Sequence, residues 1–346
     1  MGNNGRDNGI LFSMSEKRTI LVNGYAYPFI DSGVLQAWLP DLTLISTFSY
    51  GLSEDGDLIL LDDRRIVDEA RAEGVGALMV LTAFTEESGF DSERASLLFN
   101  SPEIQDRYIA EVLENLRQKK MRGVDFDFEY VFSEDREKYV AFVAKTTEIL
   151  NREGYIVTVA LAPKTSTDQP GVLYQGHDYA GMGQAANLVL LMTYEWGYTY
   201  GPPMAVAPIG QVRRVVEYGL SQIPAGKILL GIPNYGYDWT LPFIRGESRA
   251  RKVAHSEAYR LAQEQGVSIR YDANAAAPTY RYTDIDGRVH EVWFEDERSL
   301  RAKFQLVAEY GLAGVSFWNI MSYHYETDYL LNTFFNVYKD PSVIRF

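Results

Sequence analysis

Short apolar runs alternate with amphipathic stretches along most of the chain. Runs at Ile20–Tyr25, Leu42–Phe48, Ala77–Ala83, Gly123–Phe128, Ile156–Leu161, Leu188–Thr193, Ile228–Pro233 and Val315–Trp318 have strand length and strand composition. Helical spacing of apolar positions lies between most of them. It is clearest at Arg64–Glu73, Pro102–Lys120, Glu134–Glu153, Ile209–Tyr218 and Leu300–Tyr310. Such alternation predicts parallel strands joined by right-handed crossovers. Eight units predict an α/β fold of the (β/α)8 TIM-barrel type rather than an open sheet.

One connection, from Pro233 to Leu300, is too long for a simple crossover. It holds a helical patch, Ser256–Gln265, and two hairpin strands, Thr279–Thr283 and Val289–Phe294, around Asp286-Gly287. These predict a small α+β insertion after strand seven, spanning about residues 238–297. The polar, Gly/Asn-rich stretch 1–17 reads as a disordered leader ahead of a catalytic domain over 18–346. Its apolar patch, Ile10-Leu11-Phe12, is too short for a signal-peptide core.

The richest chemistry lies in the run Gly123-Val124-Asp125-Phe126-Asp127-Phe128-Glu129-Tyr130-Val131. Side chains alternate faces along a strand, so Asp125, Asp127 and Glu129 share one face and the apolar residues the other. Three acids in a row repel one another, and at least one should keep its proton near neutral pH. A wet strand face would mix Lys, Thr and Ser among its acids; this one does not. A protonated carboxylic acid beside ionised ones is what glycosidic cleavage requires. Glu129 would sit at the rim of a barrel mouth as general acid. Asp127 would lie one layer deeper, in hydrogen-bonding reach of Glu129, and Asp125 deeper again, sharing a proton with Asp127.

Composition narrows the function further. With 346 residues, 46% of them hydrophobic, the chain can bury a large core. A formal net charge of −14 argues against nucleic acid and anionic membranes as partners. The absence of Cys removes disulfide and thiolate chemistry. His177, His255, His290 and His324 are scattered without a metal-binding motif, so no metal or cofactor is expected. The chain also carries 24 Tyr, 17 Phe and 5 Trp, rings that suit the flat apolar faces of sugars as well as ordinary cores.

The acidic run resembles the DGxDxDxE signature of glycoside hydrolase family 18, the chitinase-like family, with Arg122 where the signature has its first Asp. The resemblance extends from Ile20 to Phe335 and implies a (β/α)8 barrel, often with an insertion after strand seven. It also implies retaining, substrate-assisted hydrolysis through an oxazolinium intermediate, the substrate's own N-acetyl carbonyl being the nucleophile. Asp127 would then hold the acetamido N–H. Leu191-Met192-Thr193-Tyr194-Glu195-Trp196 resembles the family's M-x-Y-D element, which assigns Tyr194 to the acetamido oxygen and places Glu195 where Asp is usual. Gly314-Val315-Ser316-Phe317-Trp318-Asn319 resembles the element that sets a Trp, here Trp318, beneath the cleaved sugar. Gly231-Ile232-Pro233-Asn234-Tyr235-Gly236 resembles G-I-P-x-Y-G, with Tyr237 in place of the following Arg, and points to Asn234 and Tyr235 as substrate-binding. Tyr25 and Tyr50 close strands one and two, where aromatics line such clefts. Strand three ends Leu81-Thr82-Ala83-Phe84 without the usual S-x-G-G.

Val22-Asn23-Gly24-Tyr25-Ala26-Tyr27-Pro28 and Thr193-Tyr194-Glu195-Trp196-Gly197-Tyr198 resemble the spore-germination branch of that family, cortex-lytic N-acetylglucosaminidases. The branch's usual LysM repeats have no counterpart here. This implies peptidoglycan of the spore cortex as substrate, N-acetylglucosamine at the cleaved bond, a spore cortex, coat or extracellular location, and a monomer. Three other readings stand beside it. The first is a chitinase or endo-β-N-acetylglucosaminidase. The second is a sugar-binding lectin on the same fold. The third is a metal-dependent lyase or aldolase barrel using the three acids for Mg²⁺.

Overall fold

The computed structural model describes residues 17–85 and 89–344. The expected leader therefore lies almost entirely outside the described residues. Eight parallel strands form a closed sheet: β1 (Thr19–Ala26), β2 (Leu44–Leu52), β3 (Gly76–Leu81), β4 (Gly123–Phe126), β5 (Ile156–Leu161), β6 (Leu188–Leu191), β7 (Ile228–Pro233) and β8 (Gly314–Trp318). Each pairs with its sequence neighbour, and β1 pairs with both β2 and β8, which closes the barrel. The predicted (β/α)8 barrel is the observed one. Strands such as Leu188–Leu191 and Ile156–Leu161 are buried along their whole length, because helices cover their outer faces.

The helices follow their patterns. The helix Pro102–Lys119 opens with Pro at its first turn under a Ser101 cap and buries Tyr108, Ile109, Val112 and Leu116. The next, Arg136–Arg152, buries Tyr139, Phe142, Val143, Thr146, Thr147 and Leu150, an i, i+3, i+4 stripe facing the sheet. Two strand starts need glycine for space. A Cβ on Gly123 would lie 2.0 Å from Ile156 O, and one on Gly314 1.8 Å from Leu21 O.

Between β7 and β8 the chain builds an antiparallel five-stranded sheet, in the order 251–253, 236–240, 289–293, 277–283, 270–272. With the helix His255–Glu264 it packs around its own small apolar cluster, which includes Val253, Ala258, Tyr280, Val292 and Phe294. Its first strand begins three residues after β7 ends, so this α+β insertion is set directly on the C-terminal rim of the barrel. No helix among the described residues is long and apolar enough to cross a membrane.

Candidate active site

The strand carrying the acids is shorter than its apolar pattern suggests. Strand β4 ends at Phe126, and one more ladder bond, Asp127 N–H to Leu81 O at 3.0 Å, precedes the departure from the sheet. Phe126 and Phe128 still point outward into Phe99, Tyr139 and Phe142, which leaves Asp125, Asp127 and Glu129 facing the barrel axis. Depth follows chain order: Asp125 is 2% exposed, Asp127 5%, and Glu129 reaches the surface of the cleft.

His177 holds the end of this segment. Its Nε2 meets Phe128 O at 3.0 Å, and its Nδ1 accepts the Ala162 N–H at 2.8 Å. Since Nδ1 accepts, Nε2 carries the proton. Burial pushes this imidazole down to about 4, so it stays neutral. His255 and His324, far apart in sequence, have ring centroids 4.1 Å apart at the edge of the insertion.

Asp125 sits on a polar layer inside the barrel. It accepts from the Tyr25 and Thr158 hydroxyls; close by, Asn23 donates to Ser316 Oγ at 3.0 Å and accepts from Ser46 Oγ at 3.1 Å. The expected chain of carboxyl-to-carboxyl hydrogen bonds is absent. Both Asp125 oxygens are satisfied by hydroxyls, and the Asp127 carboxyl makes no hydrogen bond among the described residues, its buried Oδ1 being left without a partner. Burial, then the charges of Glu129 and Asp125, hold the Asp127 carboxyl well above the usual range. Burial and the nearby Glu195 push Glu129 up to about 7. Burial raises Asp125 as well, although its two hydroxyl bonds oppose this. All three carboxyls are thus raised, and Glu129, at about 7, is the one set to hold its proton near neutral pH.

A cleft of about 610 Å³ opens over them. Trp318 forms part of its wall, packed edge-on against Tyr25 (5.3 Å between centroids), Tyr27 (6.1 Å) and Phe48 (5.1 Å). Tyr194 lines the cleft as well. Burial and the neighbouring Asp127 keep its hydroxyl protonated and available as a donor. Glu195, in the left-handed region at φ 67, accepts from the Tyr235 hydroxyl and from Tyr237 Oη at 3.0 and 3.1 Å. Non-glycine residues in that region are uncommon and concentrate at functional sites.

Two expected binding residues are placed elsewhere. Tyr50 is fully buried below the cleft: its hydroxyl donates to Asp63 at 2.8 Å, and Lys119 Nζ lies 2.6 Å away. The register of β2 shifts between Thr47 and Tyr50, so Tyr50 leaves the face that carries Phe48 to the cleft and packs against Met121. Asn234 donates to Asn319 O and Ser322 O, both at 3.0 Å, so it ties β7 to the segment after β8. Tyr235 does not line the cleft itself but touches two residues that do, Glu195 and Lys252. The Arg122 departure is remote from the mouth: it precedes Gly123 at the N-terminal end of β4 and bonds Gly154 O.

The cleft also uses residues that sequence reasoning missed, among them Tyr27, Phe84, Phe90, Trp196 and Lys252. Tyr27 could have been found, since it lies two residues beyond Tyr25 at the end of β1, whereas Trp196 lies beyond the end of β6, where the left-handed turn at Glu195 breaks the alternation. Lys252 carries no local signal. It is brought to the mouth by antiparallel pairing with Tyr237.

The family model for glycosyl hydrolases family 18 matches residues 79–322, which contain the acids, Tyr194 and Trp318. The chain is 42% identical over 302 residues to a cortical fragment-lytic enzyme of Bacillus subtilis, covering 87% of this chain and 69% of the relative. For the enzyme of that name in Bacillus anthracis the figures are 39% identity, 81% and 65%. The chain thus spans about two thirds of the length of these relatives. The crystal structure of the Bacillus cereus spore cortex-lytic enzyme SleL superposes with a TM-score of 0.90 at 37% identity, covering 94% of this chain and 76% of that one. A family match over most of the barrel, laid on a row of buried acids beneath an aromatic cleft, assigns the chain to glycosyl hydrolases family 18 and makes it a glycoside hydrolase.

Proposed function

We propose that this chain cleaves β-1,4 bonds next to N-acetylglucosamine in spore-cortex peptidoglycan, with retention and with the substrate's acetamido group as nucleophile. The observation that carries the reading is the orphaned Oδ1 of Asp127. A buried carboxyl oxygen without a partner is costly. An acetamido N–H delivered into the cleft supplies the missing donor.

In the first step the acetamido carbonyl oxygen attacks the anomeric carbon. The bond to the leaving oxygen breaks, and Glu129 gives that oxygen its proton. Asp127 accepts from the N–H and stabilises the positive charge of the oxazolinium, while the Tyr194 hydroxyl orients the acetamido oxygen. Asp125 adds a second negative group beneath, and its Tyr25 and Thr158 bonds keep it in place. In the second step water attacks the same carbon from the vacated side, the bond from that carbon to the acetamido oxygen breaks and restores the acetamido group, and Glu129 takes a proton from the water. Trp318 is the apolar surface on which the cleaved sugar rests.

Glu195 is the other carboxylate in the cleft. Hydrogen bonds from Tyr235 and Tyr237 lower its nucleophilicity, which argues against a two-carboxylate mechanism. The cortex, rather than chitin, is carried over from the Bacillus relatives, which are named for cortical fragments and the spore cortex. A spore-associated location follows from the same names. We expect the chain to act as a monomer.

The test is parallel digestion of purified spore cortex and colloidal chitin, read by mass spectrometry, with wild type and Glu129→Gln. Cortical fragments ending in reducing N-acetylglucosamine, from wild type alone, are expected. Glu129→Gln should lower turnover by about 10²–10⁴-fold while glycan binding remains. An active Glu129→Gln enzyme would remove the assignment of the acid. Chito-oligosaccharides as the main product would make it a chitinase, and bound but uncut glycan from wild type would make it a lectin.

A further inference from the structure

Among the described residues that line the cleft, Asp127, Glu129 and Glu195 are the acids and Lys252 is the single cation. Lys252 does not come from the barrel. It belongs to the edge strand 251–253 of the inserted sheet and lies opposite Tyr237 in the pairing that begins at Gly236. Alternation along that strand separates it from Arg251, which bonds Glu257 and lies 3.3 Å from Asp238 on the insertion's own side. The Lys252 side chain is exposed to the cleft.

Its Nζ stands 3.6 Å from the centroid of the Tyr235 ring, a cation–π contact that fixes its position. It makes no ion pair or hydrogen bond with any described residue, so its donors are free for a ligand. The cleft walls that crowd its ammonium lower its proton affinity, and Glu195 partly restores it. A chain with a net charge of −14 repels an acidic glycan over most of its surface. A positively charged group inside the cleft is the local exception, and a wholly neutral sugar chain would not need it.

Resting on the glycan-hydrolase reading above, we propose that Lys252 is a specificity-determining residue whose ammonium binds a carboxylate carried on the glycan beside the cleaved sugar. The carboxylate could be an acid ether borne directly on the sugar ring or the end of a short appended peptide. Either would meet the same three ammonium donors.

Binding is measured by titration calorimetry in a Glu129→Gln background, so that nothing is consumed. The probes are a tetrasaccharide of alternating N-acetylglucosamine and N-acetylmuramic acid with free lactyl carboxylates, its alanyl amide, and neutral chitotetraose. Each is titrated into protein carrying Lys252, Lys252→Met or Lys252→Arg. Losing one charge-assisted contact should reduce the preference for acidic over neutral ligand about tenfold in Lys252→Met. Lys252→Arg should keep most of the preference. Preference for the free lactyl form identifies the ring acid, and preference for the alanyl amide identifies the peptide end. An unchanged ratio in Lys252→Met, or equal loss on both ligand classes, overturns the proposal; the second result would mean that Lys252 only supports Tyr235 and Glu195. Failure of wild type to cleave any of these glycans would defeat the proposed function instead, since the binding ratio is read independently of turnover.

Discussion

Replacing Glu195 by Gln removes a negative charge from the cleft but keeps an oxygen that can accept from the Tyr235 and Tyr237 hydroxyls. The consequence should appear in Glu129. That carboxyl is raised from the ordinary 4.5 to about 7, first by burial and second by Glu195. Burial is the larger cause and stays in place when Glu195 is changed, so only part of the rise should be lost. A general acid works only while protonated. Activity should therefore fall as pH rises through the Glu129 midpoint, and kcat/KM reports that midpoint in free enzyme. Wild type should show an alkaline limb near pH 7. In Glu195→Gln the limb should move to lower pH but stay above the ordinary 4.5, because burial still raises Glu129, with turnover retained on the acid side. Asp127 titrates with Glu129, so the midpoint belongs to the pair. The assay is a pH series of kcat/KM on a soluble N-acetylglucosamine oligomer. A limb that stays in place would refute the electrostatic link. Loss of activity at every pH would restore Glu195 as a nucleophile and defeat the substrate-assisted reading.

Asp127→Asn should lower kcat on the order of 10²-fold or more with a smaller change in KM, as expected for a contact that strengthens in the transition state. The same variant should gain stability relative to wild type as pH rises from about 4. A carboxyl raised in the folded state makes wild type less stable across the window between its unfolded and folded values, and Asn does not titrate; thermal melts at pH 4 and pH 8 check the sign. Lys119→Met should destabilise by about 3–5 kcal/mol, because it leaves the fully buried Asp63 carboxylate without its cation at 2.6 Å; a denaturant midpoint close to wild type would contradict this. Tyr50→Phe should lower stability through lost bonds to Asp63 and Lys119 while leaving KM at its wild-type value, which separates the observed position of Tyr50 from the substrate-binding role expected of it. Gly123→Ala should cost about 1–3 kcal/mol or prevent folding, since its methyl would meet Ile156 O; an undisturbed melting temperature would show that β4 and β5 can part there.

Much of the barrel was readable because its signals are local. A run such as Ile156–Leu161 is apolar throughout because both faces are covered, and the observed strand has those bounds. The acidic row was readable for the same reason: period-two alternation alone places Asp125, Asp127 and Glu129 on one face. The Arg136–Arg152 helix shows its stripe directly, and the Glu134 start expected for it belongs to a short 3-10 turn at Ser133–Asp135. Tyr50 could not be placed in the same way. Its ring lies on a strand that reaches the mouth, and only the pairing of β2 with β3 turns it toward Met121 and Asp63.

The chain's own pattern of apolar and acidic residues determined the repeat of strands and helices, the closed barrel and the identity of the acids. Each of these depends on spacing within a few residues. Tertiary structure alone decided which groups satisfy those acids. The Tyr25 and Thr158 hydroxyls take both oxygens of Asp125 and leave Asp127 Oδ1 open, and Glu195 raises Glu129 from across the mouth. It also decided that Lys252, from a strand of the insertion, supplies the cleft's cation. Proton affinity and charge complementarity depend on what lies within a few ångströms in space, and closing the barrel brings together residues that the sequence keeps a hundred positions apart.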